Sequence, residues 1–259
     1  MKTKRVVVVA DLHAGHRSGL TPPDWQWKNT RDTRGKFATV QRTLWNFYAE
    51  ALDALQPIHA LIVNGDAIDG KGPKAGSSEH ITVDRKEQAD MAAECIMQSK
   101  AHNVYMTYGT PYHTGAAEDW EDVVAERIHA NTIKDHLQLE VNGVLFDFKH
   151  KVGGSQIPHG RHTSIARSAL WEQLWADAEN RKKADVLVRS HVHYHTFSGD
   201  HRSMALTTPA LQAYSKYGTR QCEGIIHMGL IWFDVGEGDY TWQSKILEAK
   251  EFKSAPIVL

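Results

Sequence analysis

Cysteine is almost missing from this 259-residue chain: only Cys95 and Cys222 occur, far apart and in no paired motif. A disulfide-stapled secreted scaffold is therefore not expected, and a reducing compartment is. No apolar run approaches the length that spans a bilayer. The run Val6 to Ala10, behind Lys2, Lys4 and Arg5, is too short for the apolar region of a signal peptide. A cytoplasmic protein with no membrane partner is the expectation. Neither sign of charge dominates: 30 Lys and Arg against 31 Asp and Glu leave a formal net charge of -1. No global field attracts a polyanion, so any such affinity must come from a local patch or from bound metal. Repeats, low-complexity tracts and a convincing linker are also lacking, and one domain over residues 1–259 is expected.

Histidine, by contrast, is plentiful, with 16 in the chain. It is the commonest metal ligand and the usual proton carrier near neutral pH, and position decides between those uses and chance. Five short apolar runs end alike. Arg5 to Ala10 runs into Asp11-Leu12-His13. Ala60 to Asn64 runs into Gly65-Asp66. Val104 to Tyr108 runs into Gly109-Thr110-Pro111-Tyr112-His113. Val144 to Phe148 runs into Lys149-His150, and Val186 to Val188 into Arg189-Ser190-His191-Val192-His193. Runs of this length and composition read as buried strands.

Helical patterns lie between them. Phe37 to Leu55 carries a stripe of Leu44, Phe47, Tyr48, Ala51 and Leu55; Asp84 to Lys100 opens with Asp84 and Glu87 in capping-box spacing. Trp120 to His129 and Ser164 to Asn180 also read as helices, the second with Leu170, Leu174 and Trp175 on one side. Such alternation predicts an α/β fold, a parallel or mixed sheet covered by helices. Met204 to Tyr214, Gly229 to Val235 and Tyr240 to Leu247 read as strands of an antiparallel second sheet or sheet edge. Arg17 to Lys36 and Lys151 to Thr163 follow ligand-bearing strands and are candidate active-site loops.

In α/β sheets, function collects beyond the carboxyl ends of the strands. Here each of five strand ends delivers an aspartate or a histidine. Asp11, His13, Asp66, His150, His191 and His193 supply two carboxylates and four imidazoles, a donor set suited to Zn, Mn or Fe, and one without the thiolates of a closed structural zinc site. Two ions about 3.5–4 Å apart require a shared ligand, and Asp66, just after a glycine, is the natural bridge.

The ordered set Asp11-x-His13, Gly65-Asp66, Gly109-Thr110-x-x-His113, His150 and Ser190-His191-x-His193 resembles the calcineurin-like metallophosphoesterase superfamily. That resemblance implies a β-sandwich of two mixed sheets flanked by helices, and two divalent metal ions drawn from Mn, Zn, Fe or Mg, with Mn or Zn favoured. It implies that Asp11, His13 and His193 hold the first ion, that Asp66 bridges, and that His150 and His191 hold the second. His113 then touches the phosphate and protonates the leaving oxygen, a role that suits an imidazole. Asp69 either orients a ligand histidine or is a solvated loop carboxylate. Two departures stand out. The usual Gly-Asn-His-Asp/Glu is replaced by Gly109-Thr110-Pro111-Tyr112-His113, so Thr110 takes the asparagine's place as a weak ligand or contacts the phosphate. Ser190 replaces the glycine of Gly-His-x-His.

Arg161 and His162 in the glycine-rich loop are candidate substrate contacts, together with Thr110. His16 either reaches substrate or has no role; His80 and the more distant histidines read as surface or packing residues. Basic residues from Arg17 to Arg42, among them Arg31 and Arg34, alternate with Trp25 and Trp27. Beside a phosphodiesterase centre this suits single-stranded nucleic acid or nucleotides; the alternative is tryptophans packed on the domain. The expected function is metal-dependent hydrolysis of phosphate esters, by a phosphodiesterase or phosphatase. The different-class alternative is a non-catalytic metal-binding scaffold that retains the fold.

Overall fold

The structure, a computed structural model, describes residues 2–28, 33–72, 77–115, 118–155, 157–200, 203–215 and 225–247. Arg31, the side chain of Arg34, His201, Cys222 and the tail from Ser254 to Leu259 lie outside the described residues.

The valine run that opens the chain forms β1 (Lys4–Val9), with Val6 to Val9 all fully buried. Successive side chains on a strand point to opposite faces, so a strand that is apolar on both sides must be covered on both. Val7 and Val9 join an outer core with Leu44, Tyr48, Ala51, Leu52, Ala92, Cys95 and Ile96. Val6 and Val8 join an inner core with Ile62, Phe146, Phe148, Val186, Val188, Leu206, Ile231 and Phe233.

One six-stranded sheet runs in the order β11 (Tyr240–Leu247), β10 (Met228–Val235), β1, β2 (Ala60–Asn64), β3 (Val104–Thr107) and β4 (Thr132–Lys134). β1 to β4 are parallel, and β10 and β11 add an antiparallel edge. The second sheet runs β5 (Leu137–Val141), β6 (Val144–Phe148), β7 (Val186–Arg189), β9 (Met204–Thr207) and β8 (Thr196–Gly199). The outer core places α1 (Thr33–Ala54), α2 (Arg85–Met97) and α4 (Trp120–Arg127) on the first sheet. The single turn α3 (Pro111–Thr114) follows β3, and α5 (Gly160–Ala178) covers the outer face of the second sheet through Ile165, Leu187 and Ala205. Two mixed sheets flanked by helices match the expected sandwich.

Several sequence-based expectations need correction. Of the two readings for the C-terminal strands, a second sheet or a sheet edge, the antiparallel edge is found for β10 and β11, which pair onto β1 as the last described strands of the first sheet. The run from Met204 is a strand only to Thr207, because Thr208 to Ala213 leaves the ladder to bond across the loop ends. Helix α5 begins at Gly160, four residues earlier than expected, which takes Arg161 and His162 out of the loop and into its first turn. Its stripe of Leu170, Leu174 and Trp175 faces outward, with Trp171, each about half exposed, while Ile165, Glu172 and Ala176 face the sheet. Asp84 does cap α2 by accepting the Lys86 N–H at 2.8 Å, but Glu87 accepts from the Thr82 hydroxyl instead of closing a capping box.

Beneath β6 and β7, Arg189 and Asp147 form a buried ion pair (Nη2 to Oδ1, 2.8 Å), with His136 against the other carboxylate oxygen. Removing one member of such a pair strands a buried charge. Arg189→Leu is expected to lower the unfolding free energy of metal-free protein by about 3 kcal/mol, the low end for a buried pair because His136 remains. Urea unfolding measures it, and a change within ±0.5 kcal/mol, typical of a surface site, would contradict the assignment.

Candidate metal centre

The ends of β1, β2, β3, β6 and β7 converge on one rim. The loops after β1 and β2 pair with each other: Asp11 N–H donates to Gly65 O, His13 N–H to Asp66 O and Ala14 N–H to Ala67 O, each at 3.0 Å. Ser190 N–H donates to His150 O at 2.7 Å, and Leu211 N–H to Asp11 O at 3.1 Å, which joins the second sheet and the following loop to the same rim. Asp11, His13, Asp66, His191 and His193 all have positive φ, between 46° and 74°, half of the ten non-glycine residues in that state among the described residues. Left-handed backbone is disfavoured for residues with a Cβ and collects where function demands a particular side-chain aim. Here it turns each side chain off its strand axis and into the rim. Gly65 (φ 81°) has a further constraint, since a Cβ there would lie 2.5 Å from the His150 ring.

The six expected ligands come together as two triads, Asp11/His13/His193 and Asp66/His150/His191, with the potential donor atoms of each within 4.8 Å of one another. Asp11 Oδ1 is 3.2 Å from His193 Nε2, 3.9 Å from His13 Nε2 and 4.0 Å from His150 Nε2. The last of these contacts crosses from one triad to the other. Asp66 Oδ2 is 3.0 Å from His150 Nε2 and 4.0 Å from both His191 Nδ1 and His113 Nε2. Asp11 Oδ1 and His150 Nε2 are buried with no hydrogen bond of good geometry, and their close neighbours are other prospective ligands. Buried polar atoms are normally satisfied, so orphaned donors of this kind fit a divalent cation.

The far sides of three rings are anchored. His150 Nδ1–H donates to Asn64 O (2.8 Å), His113 Nδ1–H to Asp69 O (2.8 Å), and His13 Nδ1–H to Asp69 Oδ1 (2.9 Å). A carbonyl can only accept, so His150 and His113 carry their hydrogens on Nδ1 and present Nε2 to the centre. Asp69 is thus a buried orienting group, and its second oxygen lies 2.8 Å from His80 Nε2. His80, expected as a surface or packing residue, is a packed one that also holds Asp69. His16 is buried too, bonded to the Ser18 hydroxyl (2.9 Å) and 3.9 Å from Glu79.

Charge follows from these contacts. Burial opposes ionisation of Asp11 and Asp66, yet the adjacent His193 and His150 outweigh it and hold both carboxyls below their usual range. Burial likewise opposes a charge on His150, but Asp66 raises its pKa to about 10. His193 is raised by Asp11 in the same way. His13 is lowered to about 4, by burial first and by His113 second.

Both departures from the expected motifs have a structural reason. Ser190 is fully buried and accepts from Asn64 Nδ2 (2.7 Å) and from the Thr208 hydroxyl (2.8 Å), while Asn64 Oδ1 accepts from Thr107 (2.8 Å). A glycine there would leave Asn64 short of a partner. Thr110 N–H donates to Asp66 Oδ1 at 2.7 Å and its hydroxyl lies 3.3 Å from the same atom. What sequence reading missed is Glu121, buried on α4, which accepts the N–H groups of Ala67 (2.7 Å) and Gly109 (2.6 Å).

The centre floors a cleft of about 1210 Å³, whose walls include Tyr112, Lys149, Lys151, Arg161, Tyr214 and Ile225. Arg161 stacks over Tyr194 (4.4 Å) and donates to Ile225 O. His162 is not among the lining residues, and its Nδ1 bonds the Thr196 hydroxyl at 2.7 Å. In the Arg17–Lys36 loop, of the two readings offered for the tryptophans, packing on the domain is the one found. Trp25 packs on the outer core, Trp27 against Phe37, and Arg17 pairs with Glu79 while covering Phe37, so neither tryptophan lines the cleft.

No protein-family model matches the sequence, and no curated protein matches it. Among solved structures, a novel archaeal phosphodiesterase aligns with a TM-score of 0.50 at 12% identity, over 94% of this chain and 99% of that one. Vps29 of Chaetomium thermophilum aligns with a TM-score of 0.53 at 11% identity, over 95% and 92%. The chain has the calcineurin-like metallophosphoesterase fold. At such identities the likeness concerns the metallophosphoesterase fold alone, and activity has to be argued from the site. No described helix is long and apolar enough to cross a membrane.

A cation displaces protons from imidazoles that are charged beforehand. With its pKa near 10, His150 is protonated at neutral pH in the metal-free protein, so Mn2+ binding is expected to release protons and to tighten about tenfold per pH unit for each proton released. Calorimetry in buffers of different ionisation enthalpy reads this directly; no buffer dependence would show that His150 is neutral before the ion arrives. Asp69→Asn, which loosens His13, is expected to weaken metal binding about 10- to 100-fold, measured by the same titration.

Proposed function

We propose that the protein is a dinuclear metal-dependent hydrolase of phosphate esters. The observation that carries this reading is the pair of Asp/His triads meeting at the floor of one cleft, with two orphaned buried donor atoms between them. One ion is assigned to Asp11, His13 and His193, the other to Asp66, His150 and His191, with Mn or Zn the metals best suited to the mixed donors. Asp66 would be the shared ligand, as the resemblance implies; its carboxylate meets Thr110 after β3, His150 after β6 and His191 after β7. Such a metal pair supplies charge stabilisation for the phosphoryl oxygens and acidifies a water nucleophile.

The protein's own groups do the rest. His113, anchored through Nδ1, turns Nε2 toward the cleft, where as an imidazolium protonated on both nitrogens it would give the Nε2 proton to the leaving oxygen. Asp69 holds His13 and, through its carbonyl, His113, so both rings are oriented before substrate arrives. Thr110 and Arg161 line the cleft and are assigned to the ester. The open, cation-edged cleft gives room for a phosphodiester with sizeable groups on both sides, a nucleotide or single-stranded nucleic acid among them. The tryptophan loop lends that substrate no support.

The test is hydrolysis of bis-p-nitrophenyl phosphate and p-nitrophenyl phosphate by metal-stripped protein with Mn, Zn, Mg or no metal restored. Metal-dependent turnover is expected, faster on the diester, abolished by Asp66→Asn and lowered about 10²- to 10⁴-fold by His113→Ala. Folded protein that binds metal yet turns over neither ester would instead support a metal-binding scaffold.

A further inference from the structure

Glu121 belongs to none of the metal-ligand motifs, yet it is fully buried and its two oxygens leave its own helix. Oε1 accepts the N–H of Ala67, the residue after Asp66; Oε2 accepts the N–H of Gly109, the residue before Thr110. Thr110 N–H in turn donates to Asp66 Oδ1 at 2.7 Å. These three bonds close a ring from Asp66 through Ala67, Glu121, Gly109 and Thr110 back to Asp66. The ring leaves no slack, since a Cβ on Gly109 would sit 2.2 Å from Asp66 Oδ1. A carboxylate is the side chain that can accept from two separate backbone N–H groups at once, and burying one is costly unless both oxygens are used.

We propose that Glu121 is a positioning residue: by holding the Asp66 turn and the Gly109–Thr110 turn together, it fixes the second metal triad, Asp66/His150/His191, without touching metal or substrate. The inference rests on the dinuclear reading above. Its role is separable from the fold. Val124 and Ala125 anchor α4 in the outer core, and α4 packs on α2 independently of the carboxylate. Helix docking therefore survives loss of the clamp while the geometry of one triad does not.

Glu121→Gln keeps the shape but sets an amide NH2 against one of the two backbone N–H groups. The experiment titrates Mn2+ into metal-free wild type and variant by calorimetry, alongside their melting curves and the Mn2+ dependence of bis-p-nitrophenyl phosphate hydrolysis. The expected result is two sites in the wild type, and in the variant the Asp66/His150/His191 site weakened about 10- to 100-fold, with the Asp11/His13/His193 site weakened less, through the shared Asp66 alone. Activity should return at high Mn2+, so the activating metal concentration shifts while kcat at saturation and KM for the ester hold. Two unchanged sites, or equal loss at both, overturn the positioning role and leave the dinuclear reading intact. Fewer than two ions in the wild type overturn both. Should the Gln variant fail to melt cooperatively, Glu121→Asp, too short to span both N–H groups, takes the same measurement with the same outcomes.

Discussion

Two aspartates buried at neighbouring strand ends cannot remain charged unless positive charge stands beside them. Asp11 and Asp66 meet that requirement with His193 and His150, imidazoles that arrive from the opposite sheet. The sandwich is therefore joined at its rim by electrostatics as well as through its inner core. In the metal-free protein those imidazoles take up protons because the carboxylates hold them. A divalent cation can replace the protons at the same positions, so folding and metal binding draw on one arrangement of charge.

The arrangement depends on backbone more than on side-chain packing. Five ligands with positive φ are disfavoured locally, and the cross-loop hydrogen bonds from Asp11, His13 and Ala14 to the β2 loop offset that cost. Asn64 adds a polar knot below the rim, joining β2 to Thr107, to the Lys149 carbonyl and to Ser190. Ser190 at the glycine position and Thr110 at the asparagine position are both absorbed into such networks. Each departure is thus compensated by hydrogen bonds that sequence comparison does not display.

Fold and activity stand on different ground here. Two solved structures share the architecture at 11% and 12% identity, a level at which the same sandwich can host unrelated work. The case for hydrolysis comes from what the rim contains: orphaned donor atoms, anchored tautomers, and a histidine whose free nitrogen faces an open cleft. The cleft's cations and tyrosines set the chemistry of what can enter. The basic tryptophan loop, which looked suited to stacking bases, is occupied in packing on α1 and the outer core.

The sequence by itself determined the buried strands β1, β2, β3, β6 and β7 and the residues at their ends. Apolar runs of fixed length leave few choices, and a charged group after such a run must sit at its mouth. It also marked Asp69 as a neighbour of Asp66, three residues along. Short-range pattern could not place Glu121 or His80, because each acts on a residue distant in the chain through a contact that only the folded loops create. Nor could it orient α5, whose large apolar stripe faces outward while Ile165 and Ala169 meet the sheet. Periodicity gives a helix its apolar side, but which side is buried depends on the surface it meets, and that was decided by the tertiary structure.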